Sequence, residues 1–399
     1  MKHPSAIHVL LCCQFLATFG VMVLIPVMPL YLEKLADDMS TAMLWSGIAL
    51  AAPAIGGVLS APLLGRLADR WGYRPILFLA LGGFCVSLLL MSFAGTLAQF
   101  LAARLLLGFC GISLVITAYT AHMAEPSGKG MLLGRLQSAM ALACLSGPLL
   151  GGLFMDRWGM ELLLNMTAAM TCVALVAAAL CLHDASPRSC HRDQPEPPLR
   201  KRWFCRWPTL SWLAAGALAQ GGAFALVTCF ALYVSELGDP RFPAATLTGG
   251  LHALAWAATF LAGSYWGKRN DRGSARGSFI MASAGCGSAI LVMLYADSLW
   301  QLALLRLVQG FCLAALTQTV VYIVSNRVHP RHQGQAIGTA NSALVSGQLI
   351  GPLTVAAVYP FFHASGAMAA SAALFIAAGL LLLTNKHPAY STCTEATRP

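Results

Sequence analysis

Gly65-Arg66-Leu67-Ala68-Asp69-Arg70-Trp71-Gly72-Tyr73-Arg74 is a short charged stretch between two long apolar runs, and the chain contains it twice. The second copy, Gly267-Lys268-Arg269-Asn270-Asp271-Arg272-Gly273 with Arg276 after it, starts 202 positions later and is one residue shorter in the turn. The same displacement relates Tyr31 to Tyr233, Arg104 to Arg306, and Gly108-Phe109-Cys110 to Gly310-Phe311-Cys312. The spacing then slips by two, so that Gly130, Gly134 and Gly147-Pro148 recur 204 positions on as Gly334, Gly338 and Gly351-Pro352. Duplication of one ancestral half, followed by a change in one loop, produces this pattern, and the two halves should share one fold.

Composition places that fold in a bilayer. The chain is 58% hydrophobic and only 10% charged, with a mean hydropathy of +0.69, which excludes an ordinary water-soluble globule. A spanning helix takes ~20 residues, so twelve of them use about 240 of the chain and leave no room for a large soluble domain. The apolar runs place spans at 7–32, 43–64, 76–95, 99–121, 134–155, 162–182, 210–234, 245–266, 278–295, 299–323, 337–359 and 364–384. The expected fold is therefore all-α, with twelve transmembrane helices in two pseudo-symmetric six-helix bundles, residues 1–183 and 209–385. A basic, Pro- and Arg-rich linker at 184–208 joins them, and a polar tail follows at 386–399. The run from Ala6 to Leu32 is too long for a signal h-region and reads as a retained first helix.

A net charge of +10 is compatible with nucleic-acid binding, but the cations alternate from loop to loop. With the N-terminus inside, Lys34, Arg157 and Arg241 fall outside, Arg104 and Arg306 fall within helices, and the other Lys and Arg fall on the cytoplasmic side. This is the positive-inside rule: both termini are cytoplasmic, no nucleic acid is implied, and anionic membrane lipid is the expected partner. The linker ends in Arg200-Lys201-Arg202-Trp203-Phe204-Cys205-Arg206-Trp207, cations mixed with aromatics as in a headgroup-level anchor. The 13 cysteines are scattered through apolar runs without a metal-ligand spacing; Cys190, His191 and Cys205 share the linker as an unligated loop, and no metal or other cofactor is expected. Paired halves in an apolar chain are the hallmark of a secondary transporter, whose substrate site lies between two rocking bundles.

The charged repeat resembles the signature loop of the major facilitator superfamily, G-x-L-x-D-R-x-G-R-[KR], with Tyr73 in place of a cation and Arg74 retaining one. The resemblance implies a conformational latch of Gly65, Asp69, Arg70, Gly72, Arg74, Asp271 and Arg272, joined by Glu125 at the inner end of helix four. Asp69 with its neighbouring cation would brace against the start of a helix in the other half and favour the outward-open form. Gly134, Ala143, Gly147-Pro148 and Gly151-Gly152 resemble the helix-five motif of proton-coupled exporters, with Ala143 where that family prefers Gly; small residues and a proline there suit a hinge or a seal. Arg104-Leu105-Leu106-Leu107-Gly108 resembles the helix-four R-x-x-x-G pattern, whose arginine is tied to proton transfer; the repeat, Arg306-Leu307-Val308-Gln309-Gly310, carries the usual Gln.

Together these motifs cover essentially the whole chain and point to the twelve-helix drug:proton antiporter group. The resemblance implies a monomeric exporter of the bacterial inner membrane that works by alternating access on a small organic molecule, either a drug-like amphiphile or a metabolite such as a siderophore, in exchange for protons. The chain would not be an enzyme, and it lacks the phosphate-binding G-x-x-x-x-G-K-[ST] loop, so ATP is not its direct energy source. An uptake symporter of the same fold and a non-transporting sensor on the same scaffold are the alternatives. Helix one carries no acid, so the coupling candidates are Arg104, His252, Glu236, and His122 beside Glu125. Candidates for the substrate cavity are Gln14, Tyr119, Gln318 and Tyr322, together with Gln220, Phe224 and Thr228 on one face of helix seven, Trp256 on helix eight, and Asn341 and Gln348 on helix eleven. Several of these amides could instead bridge helices.

Overall fold

The computed structural model describes residues 4–24, 28–33, 39–125, 127–182, 207–237 and 244–384; the linker expected at 184–208, except for its last two residues, and the tail expected at 386–399 lie outside them. Among the described residues the regular elements are helices: α1 (Pro4–Met22), α2 (Met28–Glu33), α3 (Met39–Trp71), α4 (Tyr73–Ser92), α5 (Leu97–Cys110), α6 (Ile112–Met123), α7 (Lys129–Trp158), α8 (Met160–Cys181), α9 (Trp207–Leu237), α10 (Ala244–Arg269), α11 (Ala275–Met293), α12 (Leu299–Asn326) and α13 (Gln333–Thr384). Nine stretches of these helices are long and apolar enough to cross a membrane. In a bilayer core the backbone has no water to bond, so helices satisfy it internally.

One expected span is broken, and two others are joined. The span at 99–121 divides into α5 and α6 at Gly111, which adopts a left-handed conformation with φ 50°. The stretch 333–384 runs as one element through the two spans expected at 337–359 and 364–384, and only His363, at φ 55° and ψ −162°, departs from helical geometry between them. Uninterrupted, that helix would be about 78 Å long, far beyond the ~30 Å hydrocarbon thickness.

Local details repeat along with the sequence. The Tyr31 hydroxyl donates to the carbonyl of Met91 (3.2 Å) and the Tyr233 hydroxyl to that of Met293 (2.9 Å). Thr96 caps α5 by accepting from the amide of Gln99, and Ser298 caps α12 by accepting from that of Gln301. The tight turns that close the charged repeats place Gly72 at φ 95° and Gly273 at φ 88°, which glycine adopts without strain. The buried apolar side chains form two clusters, one drawn from Ala6 to Leu182 with Val321, Ile337 and Leu344 added, the other from Trp212 to Leu382. Helix α3 packs on α13, and α7 on α10, so each charged turn meets a helix of the other repeat.

Candidate functional site

Helix α13 opens with backbone amides that have no partner inside the helix. The Asp69 carboxylate, in the last turn of α3, supplies one: Gly334 N donates to Oδ1 and Gln335 N to Oδ2, both at 2.7 Å. Tyr73 adds a third bond, its hydroxyl donating to Oδ1 at 2.6 Å. The second copy does the same to α7, where Gly130 N donates to Asp271 Oδ1 at 2.6 Å and Met131 N to Oδ2 at 2.9 Å. Each aspartate of one repeat thus caps a helix of the other, a crossed pair of charge-assisted bonds placed on the positive ends of two helix dipoles. About two turns further in, the Ser342 hydroxyl donates to the Val58 carbonyl (2.9 Å), and the Ser138 hydroxyl donates to that of Phe260 (2.6 Å).

The seams carrying these bonds are backbone contacts. A Cβ on Gly65 would overlap the carbonyl of Gly334, and one on Gly267 would overlap that of Gly130. Replacing Gly267 by valine is expected to prevent the α7–α10 seam from closing. Hydrogen exchange at the Gly130 and Met131 amides, expected to be slow in the native chain because both are bonded to Asp271, should then become fast, and retention of native protection would show that the seam tolerates the added bulk.

The cations expected in the latch are divided among several tasks. Arg74 Nη2 donates to the Ala179 carbonyl at the end of α8 (3.0 Å), and its counterpart Arg276 donates to the Leu382 carbonyl near the end of α13 (2.7 Å), each a cation at a helix C-terminus. Arg70, Arg272 and Glu125 are exposed. Lys129, at the start of α7, was not singled out from the sequence. It is only 3% exposed, and its Nζ donates to Asn326 Oδ1 across to α12 (3.0 Å). Burial pulls this lysine from 10.5 down to about 8. Between those values the unfolded chain binds the extra proton, so the native state gains stability as pH rises from about 8 to 10.5. Lys129→Met should raise the melting temperature at pH 7 and remove that gain; an unchanged pH dependence would contradict it.

Behind Asp69, the Tyr73 ring stacks on Tyr119 (6.0 Å between centroids) and lies 4.7 Å from the His122 ring. Tyr119, expected at the cavity, is fully buried behind the Asp69 cap, against Tyr73. Arg104 is buried, and its Nε donates to the Ala49 carbonyl (3.0 Å), while its Nη1 finds no acceptor among the described residues. Arg306 is buried likewise, but in richer company. Its Nη1 donates to Gln309 Oε1 (3.1 Å), its Nη2 bonds His252 Nδ1, and its guanidinium lies 4.0 Å from the centroid of Phe230. The His252 ring meets Phe230 edge-on at 5.4 Å. An Nδ1 that accepts from a guanidinium carries no proton, so the ring's hydrogen sits on Nε2. The side chain of Glu236 lies outside the described residues.

The family model for the Major Facilitator Superfamily matches residues 10–285 and again 247–398. The chain is 30% identical over 389 residues to the Staphyloferrin B transporter of Staphylococcus aureus, covering 95% of this chain and 92% of that one. The chain belongs to the Major Facilitator Superfamily. It is also 27% identical to the multidrug resistance protein MdtG of Escherichia fergusonii, over 86% of this chain and 85% of that one. Two solved structures share the fold: the human organic anion transporter MFSD10 (TETRAN), TM-score 0.78 at 19% identity over 96% of this chain and 100% of that one, and the proton:xylose symporter XylE, TM-score 0.75 at 14% identity over 96% and 95%. This superfamily member is thus a multi-pass membrane transporter and not an enzyme.

Within this major facilitator chain, two of the amides expected to meet substrate tie helices together. Gln14 Nε2 donates to Ser113 on α6 and to Thr18 (both 3.2 Å), and Gln318 Nε2 donates to the carbonyls of Gly263 on α10 (3.1 Å) and Ala314 (2.7 Å). Thr228 is exposed on α9 and donates to the Phe224 carbonyl (2.8 Å). Gln220, Phe224, Trp256, Tyr322, Asn341 and Gln348 are half-buried. In the helix-five motif, Gly134 faces Gly263 of α10, whereas Gly147 and Gly151 meet Met22 and Val23 of the α1 end; Pro148 and Gly152 lie within α7. The partnership of His252 with Arg306 escaped the sequence reading, because 54 residues separate the two. Its available signal was the internal repeat, which sets Arg306 beside Gln309 where Arg104 has Leu107.

Proposed function

We propose that this chain exports a small organic molecule across the bacterial inner membrane by alternating access, in exchange for protons. The observation that carries this reading is the crossed latch. Two aspartates at one end of the molecule hold helices of opposite repeats, a contact that must break when that end opens and re-form when it closes. Counting α7 and α10 as spans, with α13 divided at His363, supports the reading of twelve spans that such a carrier has. The positive-inside rule places the latch and both termini in the cytoplasm, so the closed latch corresponds to a carrier facing outward.

Proton exchange has its best support in His252. A second proton on Nδ1 would remove the acceptor of Arg306 and set two cations against each other beside Phe230, so protonation forces Arg306 to find another partner. Arg306 then becomes the natural link between proton entry and the substrate cavity bounded by Gln220, Phe224, Trp256, Tyr322, Asn341 and Gln348. Similarity to a Staphyloferrin B transporter and to multidrug resistance proteins supports a metabolite or a drug-like amphiphile as cargo. Uptake into energised everted vesicles, screened with cationic drugs and siderophores, tests the reading. Protonophore-sensitive accumulation is the expected result; accumulation only in right-side-out vesicles would make the protein an importer, and accumulation indifferent to protonophore would remove the proton from the cycle.

A further inference from the structure

The flank of the α7–α10 seam holds a groove of about 460 Å³, within the ~300–1,000 Å³ typical of small-molecule sites. Its walls come from both repeats: Phe15 of α1, Arg135 and Leu142 of α7 and Met170 of α8 on one side, Phe260 of α10 on the other. Leu142, Met170 and Phe260 are exposed, so the groove opens outward along a strongly apolar surface, as a bilayer-facing flank requires. Arg135 breaks that surface. It lies six residues past Lys129, about 9 Å along α7 from the latch end, inside the ~15 Å half-thickness of the hydrocarbon. Among the described residues it has no hydrogen-bond or ion-pair partner.

A cation at that depth is costly unless something neutralises it. The fold does not demand one. The internal repeat provides a control, because Arg135 corresponds to Thr339, Phe15 to Ala217 and Phe260 to Val58. Thr339 simply returns its hydroxyl to the Gln335 carbonyl (2.9 Å). The α7–α10 seam thus carries a cation with two aromatic rings, and the equivalent α3–α13 seam carries small or neutral side chains at the matching positions. An apolar channel with one unpaired guanidinium just below the cytoplasmic headgroups, within reach of them along its flexible stem, complements a molecule with an anionic head and a hydrocarbon chain.

We propose that this groove binds an anionic phospholipid, its phosphodiester paired with Arg135 and one acyl chain lying along Phe15, Leu142, Met170 and Phe260. Because the walls belong to both repeats, an occupant bridges α10 to α1, α7 and α8 and holds the latch end closed. The site does not depend on the direction of transport or on its cargo.

The test uses the purified full chain, exchanged into detergent with phosphatidylglycerol or phosphatidylcholine of matched chains, and counts retained lipid by native mass spectrometry. Phosphatidylglycerol should be preferred by about fivefold, the contribution of one basic residue at an anionic surface, and Arg135→Gln should bring that preference close to one. Leu142→Trp, which fills the groove and leaves Arg135 in place, should lower retention of both lipids. Equal retention by the native chain, or an undiminished preference in Arg135→Gln, would overturn the proposal. Should either variant fail to fold, a photoactivatable phosphatidylglycerol on the native chain decides: labelled peptides from α1, α7, α8 or α10 support the site, and labelling elsewhere refutes it. Displacement of bound phosphatidylglycerol by an equimolar fatty acid would reassign the groove to a single-chain amphiphile.

Discussion

Asp69→Asn is expected to reduce transport at least tenfold while leaving the protein folded. The carboxylate receives two backbone amides of α13 and the Tyr73 hydroxyl, all at 2.6–2.7 Å. An asparagine offers one acceptor oxygen and turns an NH₂ group toward a donor. Hydrogen bonds to charged groups contribute about 1.5–3 kcal/mol each, and a carboxylate at a helix N-terminus about 0.3–1 more. A loss of about 2–3 kcal/mol from the closed latch shifts its equilibrium with the open form by roughly 30–150-fold, since 1.4 kcal/mol corresponds to a factor of ten. The amides of Gly334 and Gln335 provide a direct readout: their hydrogen exchange should accelerate in Asp69→Asn, and those of Gly130 and Met131 in Asp271→Asn. Full transport with unchanged exchange at Gly334 and Gln335 would mean that Asp69 does not hold the latch.

The second large effect is expected at His252. His252→Gln keeps an acceptor for Arg306 but cannot titrate between pH 5 and 8, so it should exchange substrate across the membrane at near-native rates while losing at least tenfold in gradient-driven accumulation. His252→Ala removes the acceptor altogether and leaves Nη2 of a fully buried arginine unbonded, for which a cost of about 1–3 kcal/mol or more in stability is expected. Arg306→Lys should fare no better than His252→Gln, because an ammonium cannot bond His252 and Gln309 together while its face covers Phe230. Counterflow and gradient-driven uptake, measured on the same vesicles, separate coupling from translocation. If His252→Gln accumulated substrate as well as the native chain, His252 would have no part in proton exchange.

Much of this was legible in the residues. The displacement of 202 to 204 positions located every pair that the structure later treats alike: Asp69 with Asp271, Arg74 with Arg276, Tyr31 with Tyr233, Gly65 with Gly267. Glycine at the charged turn foretold the positive φ of Gly72 and Gly273, a demand that backbone sterics impose locally. The partners of these residues were less accessible. The resemblance set Asp69 against the start of a helix in the other half, but it could not name the donors: the aspartates accept from backbone amides 140 to 266 residues away in sequence, and amides leave no signature in residue type. Gln14 and Gln318 are equally suited by composition to a ligand or to another helix, and only helix packing turned both inward.

What the sequence determined alone is whatever depends on short range or on solvent: helices, because a bilayer leaves the backbone no other partner; turns, because only glycine relaxes there; and the internal symmetry, because duplication is written residue by residue. The tertiary structure decided which charges meet. Whether Arg306 faces His252, whether Asp69 reaches α13, and whether Arg135 is left without a partner all depend on how helices rotate and close against one another. That rotation is set by the sum of many contacts across both repeats, and no local stretch of the chain encodes it.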